Sequence, residues 1–299
     1  MSTEIFEEHR RLLTGVAYRI LGSVADAEDV VQETWLKWAG VDHATVEDAK
    51  AYLIRVASRV AIDRLRWARS RRESYVGPWL PEPFGTTPDA AERAELTDTV
   101  ELALLVVMET LSPLERAVFV LREAFDLPFS EIAEVVGRNE AATRQLAKRA
   151  RDHVNDKRPR FDTDRATRRD ITERFIDASA GGDLEGLIAL LSQEVTLVSD
   201  GGGKARSPLK VLSGQMNVVR FLTSVTTAEG MDKFMASIGM QEHGGLEFVI
   251  TELNGGPAML GVAAGRVISV VSLVISDGKI ETIYVMANPD KMEHLTPPS

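Results

Sequence analysis

The chain has 299 residues, 44% of them hydrophobic, with no cysteine and a formal net charge of −10. A chain of this length suggests two or three domains, and the lack of cysteine excludes a disulfide framework and thiolate metal sites. No run approaches the roughly 18 apolar residues of a membrane span, and the polar N-terminus MSTEIFEEHRRLL has no apolar signal core, so the expectation is a soluble, cytoplasmic protein with no membrane partner.

Residues 1–72 read as helices throughout. In DAEDVVQETWLKWAG, Ala27, Val30, Val31, Thr34, Trp35 and Trp38 fall on one stripe at helical spacing, and Gly40 ends the helix. Asp26, Asp29 and Glu33 line the opposite side. By spacing alone this acidic stripe also reads as a solvated face over a tryptophan core. The next helix, AKAYLIRVASRVAIDRLRWARSRR, has an apolar face and a basic one. Its residues 55–72 hold Arg55, Arg59, Arg64, Arg66, Arg69, Arg71 and Arg72 against one acid, Asp63. Arg64, Trp67 and Arg71 share a face. Cations for phosphates beside a π-face for bases is the combination that holds single-stranded nucleic acid; the bland reading is a solvated basic face with Trp67 half buried.

The stretch GPWLPEPFGTTPD follows, with Trp79 among Pro78, Pro81 and Pro83. It opens a Pro-rich, acidic linker that becomes helical near Ala90. In LSPLERAVF, Ser112 is a helix cap, Pro113 occupies the first helical position and Glu115 completes a capping box. Ser130 is then expected to cap a short helix, Gly137 to turn the chain, and a basic helix to begin near Asn139. Together they form the helix-turn-helix pattern. Arg138, Asn139, Thr143, Arg144 and Lys148 lie at the start and on one face of that helix, where arginine to guanine and asparagine to adenine suit the major groove. Lys148, Arg149 and Arg151 lie farther along, as phosphate contacts do.

Past residue 165 the pattern changes. RRDITERFIDASAGGDLEGLIALL reads as two helices split at Gly181-Gly182, with Asp183 as the second cap. A strand ends in the DGGG turn, a helix covers GQMNVVRFLTSV, and four β-like runs follow. Asn254-Gly255-Gly256 and Asp277-Gly278 mark turns. Helices followed by an antiparallel sheet suggest an α+β unit. The five histidines are scattered without metal-ligand spacing, and no acid–base pair is evident, so no catalytic residue, cofactor or metal is expected.

YRILGSVADAEDVVQETWLKW, AIDRLRWARSRR and LSPLERAVFVLREAFDLPFSEIAEVVGRNEAATRQLAKRAR, in that order and spacing, resemble the extracytoplasmic-function (ECF) RNA polymerase sigma factors over about residues 1–155. WLPEP, DGGGK (200–204) and NPDKM (288–292) resemble the subgroup with a fused C-terminal SnoaL-like domain; Met292 stands where that subgroup has leucine. The resemblance implies two all-α sigma domains, region 2 (1–75) and region 4 with its helix-turn-helix (101–160). A linker (76–100) joins them, and a SnoaL-like α+β cone (165–299) follows. It implies promoter-specific initiation with core RNA polymerase, through the β′ clamp and β subunits, and no chemistry by this chain. Asp26, Asp29, Glu33, Trp35 and Trp38 would meet polymerase. Arg55, Arg59, Asp63, Arg64, Trp67 and Arg71 would meet the −10 element. Arg138, Asn139, Thr143, Arg144, Lys148, Arg149 and Arg151 would meet the −35 element. Trp79, Leu80 and Pro81 would dock near Asp200, Lys204, Asn288, Pro289, Asp290 and Lys291, the last four expected on a loop at the sheet edge, and thereby regulate the sigma domains. The alternative is a DNA-binding regulator whose C-terminal domain binds a small ligand or is an enzyme.

Overall fold

Three long helices occupy the first 72 residues, the second and third each started by a polar capping residue. In the computed structural model, which describes residues 2–85, 101–157, 163–240 and 245–298, they are α1 (Ser2–Leu21), α2 (Val24–Ala39) and α3 (Ala49–Arg72). Ser23 caps α2 by accepting from the Asp26 amide, and Asp48 caps α3 by accepting from Ala51, each satisfying one of the amides a helix start leaves without partners. Phe6, Leu13, Ile20, Leu53 and Leu65 are buried between the three.

The same unit contains α4 (Leu102–Met108), α5 (Pro113–Phe119), α6 (Phe129–Val136) and α7 (Glu140–Lys157). The Ser112–Glu115 capping box is present with Pro113 in the first turn. A single π-type turn over Val120–Ala124 follows α5. Ser130 is not a cap: α6 starts one residue earlier, at Phe129, after an extended Pro128. Gly137 sits in the left-handed region at φ 64° between α6 and α7, the conformation a helix-ending glycine supplies at least cost. Helix α3 packs on α5 and α6, so the two groups of helices share one body.

The second unit joins Ser74–Gly85 to the described residues from 163 onward. The Pro-rich strip is therefore part of the C-terminal fold, not a spacer; the expected helix near Ala90 lies outside the described residues. Here α8 (Arg165–Gly181) and α9 (Leu184–Leu190) precede β1 (Leu191–Asp200). A short β2 (Leu212–Ser213), α10 (Gln215–Thr226) and α11 (Ala228–Ser237) come next. Strands β3 (Leu246–Leu253), β4 (Gly256–Ala263), β5 (Arg266–Ser276) and β6 (Lys279–Met286) close the chain, with a 3₁₀ turn at Pro289–Lys291. The sheet order is β2-β1-β6-β5-β4-β3, antiparallel except for the β1–β6 pair. Phe175, Leu187, Leu197, Val218, Ile275 and Ile283 fill the space between helices and sheet. This is the α+β architecture expected of a SnoaL-like domain.

Two-residue turns join β3 to β4 and β5 to β6, with Asn254 and Asp277 both at φ 49° before a glycine, the geometry that favours Asn-Gly and Asp-Gly. A third such turn, Ala264-Gly265 with Ala264 at φ 50°, joins β4 to β5. It carries no Asn or Asp signal. One expectation is corrected by the topology. The Asn288–Lys291 loop leaves β6, which lies inside the sheet between β1 and β5, not at its edge.

Candidate functional site

Asp200 ends β1, and its neighbour on the parallel strand β6 is Met286. The pairing brings the two following turns together: the Asp200 carbonyl accepts from the amides of Ala287 (2.8 Å) and Asn288 (2.9 Å). The Asp200 carboxylate is fully buried, and a buried charge is tolerated only with partners. It has four. Oδ1 accepts from the Tyr75 hydroxyl at 2.5 Å and from the Gly202 amide at 3.1 Å. Oδ2 accepts from the Leu80 amide at 2.8 Å and from Lys291 Nζ at 2.7 Å. Gly202, at φ +60°, could not be replaced cheaply, because a Cβ there would lie 2.3 Å from Asn288 Nδ2.

Lys291 completes the grip on the strip. Its Nζ donates to the Leu80 carbonyl at 2.6 Å and lies 3.9 Å from the centroid of the Trp79 ring, a cation–π contact. Thus both polar backbone groups of Leu80 are bound by one buried ion pair, while its side chain is buried at 1% exposure. Asn288 Nδ2 donates to the Tyr75 oxygen at 2.8 Å, and its Oδ1 accepts from Asp290. Farther along the strip, Phe84 and Asn254 exchange hydrogen bonds, and His294 Nε2 lies 2.6 Å from the Pro83 carbonyl. Lys204 and Asp290 instead form an exposed pair at 2.5 Å, of the kind that contributes at most about 1 kcal/mol. Of the residues expected near the strip, Lys291 is the one on the Trp79 ring, while Asp290 pairs with Lys204. Tyr75, one of the carboxylate's partners, was missed, because a tyrosine just ahead of a Pro-rich stretch carries no local signal.

The four contacts of the Asp200 carboxylate all come from donors: the Tyr75 hydroxyl, the Leu80 and Gly202 amides and the Lys291 ammonium. Among the described residues no group of histidine and carboxylate side chains could hold a metal ion. Burial first, and then the hydrogen bond to Asp200, raise the Tyr75 phenol well above its ordinary range; burial pushes Tyr284 up to about 12. Both phenols keep their protons in the fold at pH values where an unfolded tyrosine, near 10, has lost its own. Their stabilisation is complete below that value and is lost as the pH rises through the folded range. The melting temperature should therefore fall steeply above about pH 10, less steeply in Tyr75→Phe. Parallel pH profiles for the two proteins would show that Tyr75 contributes nothing to it.

On the helical unit, Asp29 and Glu33 are exposed on α2, beside the half-buried Trp35, whose ring meets Phe6 edge-on at 5.1 Å. Trp38 is not an anchor. It is 1% exposed, stacked on His43 at 4.3 Å, with Nε1 donating to the Ser2 carbonyl at 2.9 Å. On α3, Trp67 is 59% exposed with the Arg71 guanidinium 4.5 Å from its centroid, and Asp63 pairs with Arg66. Arg64 does not project freely; it bonds Asp26 at 3.0 Å and Asp29 at 2.6 Å, tying α3 to α2. Arg138, in the turn before α7, and Arg144, Lys148, Arg149 and Arg151 on α7 are exposed, Arg144 lying over the Phe129 ring and pairing with Glu140. Thr143 is corrected: it is fully buried and donates to the Asn139 carbonyl. Asn139 Oδ1 caps the helix by accepting from Ala142 at 2.8 Å.

The Sigma-70 region 2 family matches residues 5–71 and the Sigma-70 region 4 family matches residues 101–154. The ECF RNA polymerase sigma factor SigJ of Mycobacterium tuberculosis is 39% identical over 97% of this chain and 93% of its own. The chain belongs to the ECF sigma factors. The probable ECF sigma factor SigI of the same species is 32% identical over 96% of this chain and 93% of its own. The crystal structure of M. tuberculosis SigJ superposes with a TM-score of 0.75 at 36% identity, covering 97% of this chain and 98% of that one. As a sigma factor the chain directs promoter-specific initiation and is not an enzyme, and α1–α3 and α4–α7 are its regions 2 and 4. Among the described residues no helix is long and apolar enough to cross a membrane.

Proposed function

We propose that this sigma factor docks on the β′ clamp of core polymerase through Asp29, Glu33 and Trp35, with region 4 on the β subunit. In this reading α3 holds the −10 strand with Trp67 as a stacking face, and the start of α7 reads the −35 element through Arg138 and Arg144. The C-terminal domain controls initiation through the strip that it binds. The acidic stripe suits a basic partner, and exposed arginine beside an exposed tryptophan suits single-stranded DNA.

The observation that carries the regulatory part is the hold on Leu80, whose amide and carbonyl are both bound by the Asp200–Lys291 pair. Such a hold fixes the chain immediately after region 2. Prolines lower the entropy lost on docking, so the strip is suited to reversible attachment. The test is run-off transcription with core polymerase and full-length protein carrying Trp79→Ala, Lys291→Met or both. Each single change should alter promoter output, and the double variant should not show the summed effect. Unaltered output, or simple additivity, would leave the strip a passive part of the C-terminal fold.

A further inference from the structure

Methionine is the chain's only source of sulfur: there are nine methionines and no cysteine. Three of them, Met231, Met235 and Met240, meet in a small apolar cluster apart from the main core of the C-terminal unit. The cluster seats α11 on the sheet. Met235 is the fully buried side chain of α11 and lies among Ala263 of β4 and Ile268 of β5, with Met231, Phe234 and Met240 half-buried beside it. The end of α11 is closed by the same sulfur side chains. The Gly239 amide donates to the Ala236 carbonyl at 3.2 Å and the Met240 amide to the Met235 carbonyl at 2.9 Å, with Gly239 left-handed at φ 75°. A helix end of this kind is held by an apolar contact between the residue after the glycine and the last turn, and here that residue is Met240, packed on the Met235 cluster.

Ser237 lies in that last turn, and its Oγ accepts from the Arg206 amide at 2.8 Å. Arg206 follows a tight turn in which the Lys204 and Ala205 amides both donate to the Gly201 carbonyl at 2.9 Å. This turn faces the start of the strip: a Cβ on Gly203 would lie 3.1 Å from Val76, and one on Gly202 3.0 Å from the Tyr75 hydroxyl. The methionine seat is therefore one side-chain hydrogen bond away from the turn that packs on the strip, within one unit. We propose that the seat of α11 is an oxidation site for peroxides. The thioether lone pair of Met231 or Met240 attacks one oxygen of hydrogen peroxide and the O–O bond breaks. The sulfur, oxidised by two electrons, keeps that oxygen as a sulfoxide, and the other oxygen leaves as water with both protons. The product is polar and can be reduced back. Its oxygen calls for a donor, and the cluster around it is built of apolar side chains, so the oxidised seat opens and releases the last turn of α11. Met216 is more open to oxidant, at 56% exposure, but stands outside the cluster. Only the consequence for initiation rests on the reading that the strip controls it.

The experiment treats the full chain with hydrogen peroxide and reads each methionine by peptide mass spectrometry and each amide by hydrogen exchange. Met231 and Met240 should each gain one oxygen, and the amides of α11 and of residues 201–206 should then exchange about tenfold faster, as expected when an unsatisfied polar group enters an apolar seat. Methionine sulfoxide reductase should restore slow exchange. Met231→Leu/Met240→Leu conserves volume; it should exchange like untreated wild type and stay so in peroxide, whereas Met216→Leu should respond as wild type does. Cluster methionines left unoxidised when Met216 is fully converted would overturn the proposal, and so would their oxidation with α11 exchange unchanged. Acceleration that the reductase does not reverse, or that the double leucine variant shares, would mark general damage and overturn it equally. Run-off transcription with the oxidised protein separates the two readings: faster α11 exchange with unaltered output keeps the oxidation site and removes the strip's control of initiation.

Discussion

Asp200→Ala is expected to destabilise the C-terminal unit by about 3–5 kcal/mol, the cost of breaking a buried ion pair by removing one partner. The substitution leaves the Lys291 ammonium, 7% exposed, with no carboxylate. It also leaves the Tyr75 hydroxyl and the amides of Leu80 and Gly202 without their acceptor. At roughly 2–4 °C per kcal/mol for a unit of this size, its melting transition should drop by about 10 °C in calorimetry. Asp200→Ala/Lys291→Met should recover part of the loss, because an apolar replacement of a buried pair is often neutral. Trp79 is the one tryptophan outside region 2, and its emission should shift to the red as Lys291 leaves its ring. A melting temperature unchanged from wild type would show that the four hydrogen bonds are not what holds the strip.

Arg116→Ala should cost the helical unit a comparable amount, about 3–5 kcal/mol by the same mechanism. Arg116 is fully buried on α5, where Nη1 pairs with Glu109 and Nε donates to the Arg19 carbonyl of α1 at 3.1 Å. Its removal opens a cavity and leaves Glu109 to Arg72 alone. Since Arg116 joins regions 2 and 4, urea unfolding should lose cooperativity as well as midpoint, the α4–α7 amides exchanging before those of α1–α3. Ser112→Ala, which removes only a cap on the same helix, sets the scale at about 1 kcal/mol. If Arg116→Ala costs no more than Ser112→Ala, the buried network does not join the two regions.

The features legible in the sequence are those decided within a few residues. The capping box at Ser112 and Glu115, the left-handed Gly137, and the Asn254-Gly255 and Asp277-Gly278 turns depend on local backbone preferences, and each stands where the residues place it. Helical spacing likewise brought Asp29 and Glu33 to one exposed face of α2. Periodicity does not say how far a stripe is buried: Trp38, given a polymerase contact by the resemblance, and Thr143, placed on the recognition face, are both turned inward by packing. Ser130 lost its expected role to Pro128, one turn-forming residue outcompeting another. What only the tertiary structure decided is which charge meets which. The parallel pairing of β1 with β6 carries Asp200 to Lys291, 91 positions away in sequence. The packing of α6 on α3 carries Glu134 to Arg55, 79 positions away. Acids and bases have no spacing rule across such distances: a Coulomb partner is chosen by the apolar packing that brings two backbones together, and that packing is a property of the whole fold.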